Sequence, residues 1–173
     1  MSLILYIGCM FSGKSTALVN HVSRHEAIGR SCLVVNHTMD DRCAKEICTH
    51  DKVHHSAVKV PLLEAIDDGL IASCECIGID EGQFFPDLRE KVLEWIARGK
   101  HVAIAGLSGD FQAKPFDNIM HLVPYADEVV HKRALCIECG MPAMFSLRCG
   151  ASKKRFLSGG KSEYKAVCRK HFC

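Results

Sequence analysis

The sequence of 173 residues contains no apolar run of the roughly 18 residues that a membrane-spanning helix requires. Its first apolar segment, Leu3–Ile7, is much shorter and has no charged region in front of it, as a secretory signal would. These absences argue against a membrane partner. They predict a cytoplasmic protein.

The pattern of a disulfide-stabilised secreted domain is also missing. The eleven cysteines are an odd number and are scattered from Cys9 to Cys173. In a cytoplasmic protein, such cysteines stay reduced or bind metal. Cys32, Cys74 and Cys76, like Cys9, are predicted to be small core residues. The histidines before residue 56 lack the spacing of metal ligands, so we expect them on the surface.

Acidic residues are scarce in the last quarter of the chain. Residues 130–173 carry 10 Lys and Arg but only 2 acidic residues, whereas residues 1–129 carry 12 basic and 18 acidic residues. A basic segment fits nucleic acid, the phosphates of a small ligand, or a solvated surface. Few aromatic residues alternate with the basic ones, as a stacking platform for single strands would require. We therefore expect no nucleic-acid partner.

Short apolar runs alternate with amphipathic stretches over the first two thirds of the chain, which predicts parallel strands joined by helices. The expected class is α/β, with a P-loop parallel sheet, helices on both faces and a small C-terminal zinc-binding β lobe. Ligands of such sheets bind at the carboxyl ends of the strands. The predicted strands are Leu3–Ile7, Cys32–Asn36, Cys76–Asp80 and His101–Leu107, and the predicted helices are 14–28, 61–69 and 87–99.

The pattern changes after Pro124 to short β-prone segments around cysteines. We therefore predict two domains. Residues 1–128 would form the nucleotide-binding α/β domain, and residues 129–173 the smaller lobe.

The motif G-x-x-x-x-G-K-[ST] lies between the first predicted strand and the first predicted helix, as GCMFSGKS. Backbone N–H groups of such a loop surround phosphate oxygens at the helix N-terminus. Lys14 is expected to bind the β- and γ-phosphates of ATP, and the Ser15 hydroxyl to bind Mg²⁺. The predicted cofactor-binding residues are Gly8, Cys9, Met10, Phe11, Ser12, Gly13, Lys14 and Ser15.

Two acidic residues follow the third predicted strand, in the segment CIGIDEGQFF. Asp80 is expected to bind Mg²⁺, directly or through water. Glu81 then remains as a general base for the group that attacks the γ-phosphate. Motors, switches and kinases share these two elements, so the attacking group decides among them.

Four potential metal ligands occur as two pairs, each pair separated by two residues. CIEC supplies Cys136 and Cys139, and CRKH supplies Cys168 and His171. Four such ligands suit tetrahedral Zn²⁺, and a site with every position filled is structural. Cys173 is an alternative to His171 as fourth ligand, which would give an all-cysteine site.

Five segments stand in the order and at the spacing of one family: GCMFSGKST, IDEGQFFPD, FQAKPF, CIEC and GGKSEYKAVCRKH. Through these segments, nearly the whole chain resembles the zinc-containing type II thymidine kinases, in the compact form of large DNA viruses. The resemblance implies transfer of the γ-phosphate of ATP to the 5′-hydroxyl of thymidine or deoxyuridine. It also implies a homotetramer that uses Mg²⁺ and structural Zn²⁺.

The resemblance further implies roles for single residues. Glu81 would accept the proton of that hydroxyl, and Arg42 would neutralise charge in the transition state, with a place on a surface loop as the alternative. A lasso loop would hold the base mainly through main-chain groups, and it comprises Arg155, Phe156, Leu157, Ser158 and Gly159. The base pocket would comprise Met10, Phe84, Leu107, Phe111, Phe116, Ser146 and Tyr164. For Phe84 and Phe116, a place in the core is the alternative.

The chain departs from the family pattern at several positions. Cys9 replaces the usual proline of the phosphate loop, where backbone matters more than side chain. The usual LDGTF reads LSGDF, which moves the acidic residue to Asp110 and alters the surroundings of Leu107. Ala113 replaces an arginine, and His171 replaces the fourth zinc cysteine.

The main alternative function is that of a P-loop ATPase that binds nucleic acid through a zinc ribbon, with DEGQ as a helicase-like motif. A strand-separating motor usually needs a second ATPase-like domain, for which 173 residues leave no room. A nucleotide-binding regulator without turnover is a further alternative. The general base predicted at Glu81 argues against it.

Overall fold

The computed structural model describes residues 1–40, 46–48, 54–150, 154–155, 159–160 and 162–173, with only the backbone described at 46–48 and 54. Four predicted site residues lie outside these ranges: Arg42, Phe156, Leu157 and Ser158. Within the described ranges, no helix is both long enough and apolar enough to cross a membrane.

The first two thirds of the chain alternate between strands and helices, and the last third consists mainly of short strands. The described elements are β1 (Ser2–Gly8), α1 (Lys14–Ala27), β2 (Cys32–His37), β3 (Glu46–Cys48), β4 (His54–Ser56), β5 (Val58–Val60), α2 (Asp68–Ser73), β6 (Cys76–Ile79), α3 (Leu88–Ala97), β7 (His101–Leu107), α4 (Asp117–Met120), β8 (Glu128–Lys132), β9 (Ala134–Leu135), β10 (Pro142–Ala143), β11 (Phe145–Arg148), β12 (Tyr164–Val167) and α5 (Arg169–Phe172). Short 3₁₀ turns occupy Leu63–Ala65, Gly82–Phe84 and Val123–Tyr125.

Six parallel strands form one sheet in the order β5-β2-β6-β7-β1-β8. Because side chains alternate between the faces of a strand, β1 sends Leu3 and Leu5 to one face and Tyr6 to the other. Helix α3 packs on the first face through Trp95, and α1 packs on the second through Val22. The predicted α/β class, with a parallel sheet between helices, is confirmed.

The chain after the sheet forms two antiparallel pairs of short strands, β9 with β10 and β11 with β12. Strand β8 pairs in parallel with β1 and therefore belongs to the sheet. The sheet thus continues to Lys132, four residues past the predicted division at 128/129. A division there would separate β8 from the strand with which it pairs.

Two local predictions were wrong. The predicted helix 61–69 is instead a 3₁₀ turn followed by α2, which begins only after Asp67 caps it by accepting the N–H of Leu70 at 3.0 Å. The histidines before residue 56 do not all lie on the surface, since His21 and His37 are 5% and 6% exposed. Burial lowers the pKa of His21 to about 4, so its imidazole is neutral at neutral pH.

Candidate active site

The phosphate loop predicted at Gly8–Ser15 connects the end of β1 to the start of α1. Gly8 is enclosed, because a Cβ atom there would lie 2.3 Å from the carbonyl oxygen of Lys132 on β8. Gly13 precedes the helix with a φ of 73°, in the left-handed region that glycine adopts without steric cost. The two glycines of the motif are therefore needed for different reasons, close packing and backbone conformation.

The lysine of the motif lies over its own loop. The carbonyl oxygen of Cys9 accepts hydrogen bonds from Lys14 Nζ at 2.7 Å and from Ser12 Oγ at 2.9 Å. The first turn of α1 contains no acidic residue, so no carboxylate there competes with an anion. An ammonium group beside a helix N-terminus is suited to bind phosphate.

The two residues predicted to bind Mg²⁺ are in contact. Ser15 Oγ donates to Asp80 Oδ1 at 2.9 Å. Asp80 follows β6 directly, is 2% exposed, and its N–H donates to the Val35 carbonyl of β2 at 2.9 Å. The oxygen atoms of a hydroxyl and a carboxylate are the ligand type that Mg²⁺ prefers. These donors fit that ion.

The carboxylate of Glu81 is held by a neighbouring amide. Gln83 Nε2 donates to Glu81 Oε2 at 2.5 Å, and Gln83 Oε1 accepts the N–H of Leu107 at 3.0 Å. The buried glutamine therefore connects the carboxylate to the end of β7. Glu81 itself has a φ of 53°, a left-handed conformation that costs a non-glycine residue about 1–3 kcal/mol and is common at active sites.

The sequence-based prediction missed Gln83 and Asn118. Asn118 Nδ2 lies within hydrogen-bonding distance of three carbonyl oxygens around the turn that follows Glu81, those of Gly82, Gln83 and Phe85, at 3.2, 3.0 and 2.9 Å. Gln83 stands in the DEGQFF segment, whose position after a strand was a usable signal. Asn118 carries no such signal, because its contacts depend on the tertiary fold.

The phosphate loop also contacts the C-terminal strands. Met10 N–H donates to Ser146 Oγ of β11 at 2.9 Å, and both residues were predicted in the base pocket. Cys9 is 2% exposed and its Sγ donates to the Ala143 carbonyl at 3.5 Å. The side chain at this departure from the family pattern therefore packs between loop and lobe, at a position where we expected the backbone to matter more than the side chain.

Two further predicted base-pocket residues, Phe111 and Tyr164, meet at an arginine that the sequence did not single out. The guanidinium carbon of Arg148 lies 3.9 Å from the ring centroid of Phe111 and 5.0 Å from that of Tyr164. Arg148 Nη2 also donates to Tyr164 Oη. A guanidinium stacked on aromatic faces is favourable and fixes the direction of the rings.

Asp110, the displaced acid of the LSGDF segment, has a structural role. Its Oδ1 accepts the N–H groups of Gln112 and Lys114 at 2.9 and 3.0 Å. Its Oδ2 accepts a hydrogen bond from Arg155 Nε at 3.1 Å, although the Asp110 side chain is only 3% exposed. The guanidinium of Arg155 lies 5.0 Å from the ring centroid of Phe116. The start of the predicted lasso loop is thus attached to the segment after β7.

Two predicted pocket residues have other neighbours. The ring centroid of Phe84 lies 5.5 Å from that of His37. Phe116 is 5% exposed and belongs to the main hydrophobic core, which is the place that the alternative interpretation gave it.

The four predicted zinc ligands come together in the lobe. The donor atoms of Cys136, Cys139, Cys168 and His171 all lie within 4.8 Å of one another. His171 Nδ1 is 3.6 Å from Cys136 Sγ and 3.3 Å from Cys168 Sγ, and the Sγ atoms of Cys139 and Cys168 are 3.7 Å apart. Tetrahedral Zn²⁺ with ordinary bond lengths separates such donors by roughly 3.3–3.8 Å. The residues fit zinc, with His171 rather than Cys173 in the group.

The pKa of Cys136 is shifted toward the form that binds metal. Desolvation raises the pKa of Cys136, but hydrogen bonds from the backbone around Cys168, Glu138 and Cys139 outweigh it and lower the pKa to about 6. Hydrogen bonding to Cys168 and Cys136 raises the pKa of His171, so zinc binding there would displace a proton from the imidazole. Thiolates are the form of cysteine that binds metal.

A phosphate loop, a strand-end aspartate in contact with its serine, and an adjacent carboxylate define a P-loop nucleotide-binding protein, here with a cysteine–histidine metal cluster. The family model for thymidine kinase matches residues 1–172. Thymidine kinases of Rabbit fibroma virus and Variola virus are each 42% identical to the chain, over 166 and 170 residues, and that of Vaccinia virus (strain Western Reserve) is 41% identical over 170 residues. Each alignment covers 96% of this chain and 93% of the relative.

The chain belongs to the thymidine kinase family. Its activity is accordingly that of a kinase that phosphorylates thymidine and uses ATP. The predicted family resemblance is confirmed. The alternative of an ATPase that binds nucleic acid through a zinc ribbon is not favoured.

Proposed function

We propose that the chain transfers the γ-phosphate of ATP to the 5′-hydroxyl of thymidine or deoxyuridine, with Glu81 as the base that accepts the hydroxyl proton. The observation that carries this proposal is the fixed position of the Glu81 carboxylate. Gln83 connects this carboxylate to the end of β7. Glu81 directly follows Asp80, which accepts a hydrogen bond from Ser15 of the phosphate loop. Transfer to an alcohol needs a proton acceptor beside the γ-phosphate, and Glu81 follows the strand that ends there.

In this proposal Gly8–Ser15 binds the phosphates of ATP. Lys14 neutralises the β- and γ-phosphates, and the backbone N–H groups of the loop donate to their oxygens. Ser15 and Asp80 would hold Mg²⁺, which would supply positive charge to offset the charge of the phosphates. Arg42 lies outside the described residues and stays a prediction as a further neutralising group.

The nucleoside would lie between the phosphate loop and the C-terminal lobe. The contact of Met10 with Ser146 and the stacking of Phe111 and Tyr164 around Arg148 support this position. A pyrimidine ring has a flat face for an aromatic partner and a polar edge for backbone groups. Phe84, Leu107, Phe116 and the segment Arg155–Gly159 complete the proposed site.

We propose zinc as the structural metal of the lobe and a division of the chain into a sheet domain and a lobe that begins after Lys132. Cys136, Cys139, Cys168 and His171 would hold the ion, and the fit of their donor separations supports it. With four protein ligands the ion would have no open position, so its contribution would be to folding.

We also propose a cytoplasmic homotetramer. The assembly rests on the family resemblance, and three lobe side chains support it because they are large, apolar and 61–72% exposed: Leu135, Ile137 and Met141. Light scattering coupled to gel filtration would measure the mass, and a monomer at micromolar concentration would contradict the assembly.

A panel of nucleosides tests the function. Purified protein is incubated with ATP, Mg²⁺ and thymidine, deoxyuridine or deoxycytidine, and the monophosphate is measured by chromatography. We expect thymidine monophosphate, with one ADP formed for each monophosphate. ATP hydrolysis that single-stranded DNA stimulates, without any product from thymidine, would contradict the proposal.

A further inference from the structure

A second group of metal-ligating side chains lies outside the lobe. His21 and His25 of α1 and Cys76 of β6 each offer a donor atom, and these atoms lie within 4.8 Å of one another. Cys76 is the first residue of its strand, whereas the active site is built at the carboxyl ends of the strands. The group therefore lies at the N-terminal end of the strand, opposite the end at which the candidate active site is built.

The helix and the sheet bring these residues together. His21 and His25 are four residues apart, so they lie on the same face of α1. That face packs closely on β6, because a Cβ atom at Gly78 would lie 2.8 Å from Val22 Cγ2. Because Gly78 has no side chain, α1 can approach β6 closely enough to place both imidazoles beside Cys76.

A buried nitrogen atom of His21 is the strongest indication that this group of residues binds a ligand. His21 is 5% exposed, and its Nε2 has no hydrogen-bond partner among the described residues. Its Nδ1 is engaged, since it lies 3.2 Å from Tyr6 Oη and 3.3 Å from Arg24 Nη2. A buried polar atom without a partner is costly and calls for an explanation, and a metal ion would supply one.

We propose that His21, His25 and Cys76 form a second binding site for Zn²⁺. Two imidazoles and a thiolate are a donor set that suits this ion. Arg24 Nη2 can only donate, so it moves away from Nδ1 of His21 when Tyr6 Oη accepts the Nδ1–H, which leaves Nε2 to bind the metal. Arg30 Nη1 lies 3.0 Å from Nδ1 of His25 and can only donate, so this half-buried arginine turns aside when His25 binds through Nε2.

Charges of both signs surround the site. Arg24 and Arg30 raise the local positive potential at His25, and Glu75 lowers it. Glu26 and Glu75 face Cys32 on the neighbouring strand. His101, whose ring centroid is 5.2 Å from that of His25, is held through Nδ1 by the Ser2 hydroxyl at 2.9 Å. Arg30 and the N-terminal ammonium also act on His101. The glutamates and the thiolate ligand therefore offset part of the positive charge that a bound cation meets at this site.

A further thiol, that of Cys32, lies beside the proposed site. Cys32 pairs with Cys76 in the register of β2 and β6, and the two side chains interact. Cys32 also lines a surface cavity of about 710 Å³ together with Glu26 and His55.

Metal counting on the whole chain tests the proposal. Metal-free, reduced protein is loaded with excess Zn²⁺, freed from unbound ion by gel filtration, and analysed by atomic absorption. We expect two zinc ions per chain, one in the lobe and one at the proposed site. Cys76→Ser and His25→Gln should each reduce the number to one, and Cys74→Ser, which removes a neighbouring buried thiol outside the group, should leave it at two.

Cobalt substitution provides a second readout. The wild-type chain should show the visible bands of tetrahedral Co²⁺ from two sites, and Cys76→Ser should remove one of the two contributions without changing thymidine phosphorylation. One zinc ion per chain in the wild type would overturn the proposal. So would two ions in His25→Gln, whose half-buried position makes it the substitution less disruptive to folding.

Discussion

The phosphate side and the nucleoside side of the candidate active site are built by different means. The phosphate side uses two contiguous segments, Gly8–Ser15 and Asp80–Glu81, each placed at the end of a buried parallel strand. The nucleoside side gathers residues from the segment after β7 and from β11 and β12. Those strands form only a two-stranded sheet, beside the cluster of potential zinc ligands.

This difference indicates what holds each side in place. The sheet under the phosphate loop is stabilised by buried aliphatic side chains on both faces, each contributing about 1.5–3 kcal/mol. The lobe core consists of small residues such as Ala134, Ala143 and Ala166, which bury little surface. We infer that the nucleoside side depends on metal ligands and ion pairs for the stability that the sheet obtains from burial.

Removal of zinc should have the largest effect, and it should damage the nucleoside side much more than the phosphate side. Structural zinc supplies roughly 10 kcal/mol of folding free energy to small domains, so Cys139→Ser should unfold the lobe. We expect thymidine phosphorylation to be lost while an ATP analogue still binds, as measured by calorimetry. Cys149→Ser, an exposed lobe cysteine outside the cluster, is the matched control. An unchanged melting curve after verified metal removal would contradict a structural role.

Glu81→Gln should damage chemistry without damaging either binding side. Loss of the general base should lower kcat by about 10²–10⁴, because the 5′-hydroxyl then lacks a proton acceptor. The KM values for ATP and thymidine should change little, since glutamine preserves the size of the side chain. Steady-state kinetics measures this, with the exposed Glu90→Gln of α3 as control. Nearly full turnover in Glu81→Gln would rule out the assigned role.

Gln83→Ala should have a smaller effect on the same step. It removes the amide that fixes the Glu81 carboxylate, and misplacement of a catalytic group by about 1 Å costs up to about 10²-fold. We expect kcat to fall with little change in the KM for thymidine, and Gln112→Ala serves as control. A variant that loses affinity for thymidine but keeps its kcat would show that Gln83 acts on the nucleoside side instead.

Arg155→Gln should have the smallest effect, confined to the nucleoside side. In the Arg155–Asp110 ion pair, the arginine side chain is about half exposed. Loss of the pair should therefore weaken thymidine binding by about 1 kcal/mol, which corresponds to a roughly fivefold rise in the KM for thymidine. The KM for ATP should not change. The double variant with Asp110→Asn should be no worse than the single ones, and Arg98→Gln, which breaks the surface pair with Asp68, is the control. If the two substitutions raise the KM for thymidine additively, Arg155 and Asp110 are not coupled.

The arrangement of residues on the phosphate side could be predicted from the sequence because its signals are local. The glycines, Lys14 and Ser15 stand at fixed spacing between a strand and a helix, and Asp80 follows a strand that is apolar throughout. The parallel sheet followed from the same alternation of strands and helices. The two ligand pairs of the lobe were equally local, since each is separated by two residues.

The remaining contacts depend on distant parts of the chain and could not be predicted from spacing. Arg148 meets Phe111 only because β11 packs beside the segment after β7. The pair of Asp110 with Arg155 joins residues 45 positions apart. His21 and His25 were expected on the surface because we predicted no metal-ligand spacing among the histidines before residue 56. Nothing in the sequence indicates that a glycine on β6 lets the helix approach a cysteine.

The hydrogen bond from Met10 N–H to Ser146 Oγ has a thermodynamic consequence. A backbone amide of the phosphate loop donates to the strand that would line the proposed nucleoside site, so we expect a rearrangement on either side to affect the other. Whatever factor ATP contributes to the affinity for thymidine, thymidine must contribute the same factor to the affinity for ATP. Donor and acceptor affinities of this enzyme should therefore be measured together, as one coupled quantity.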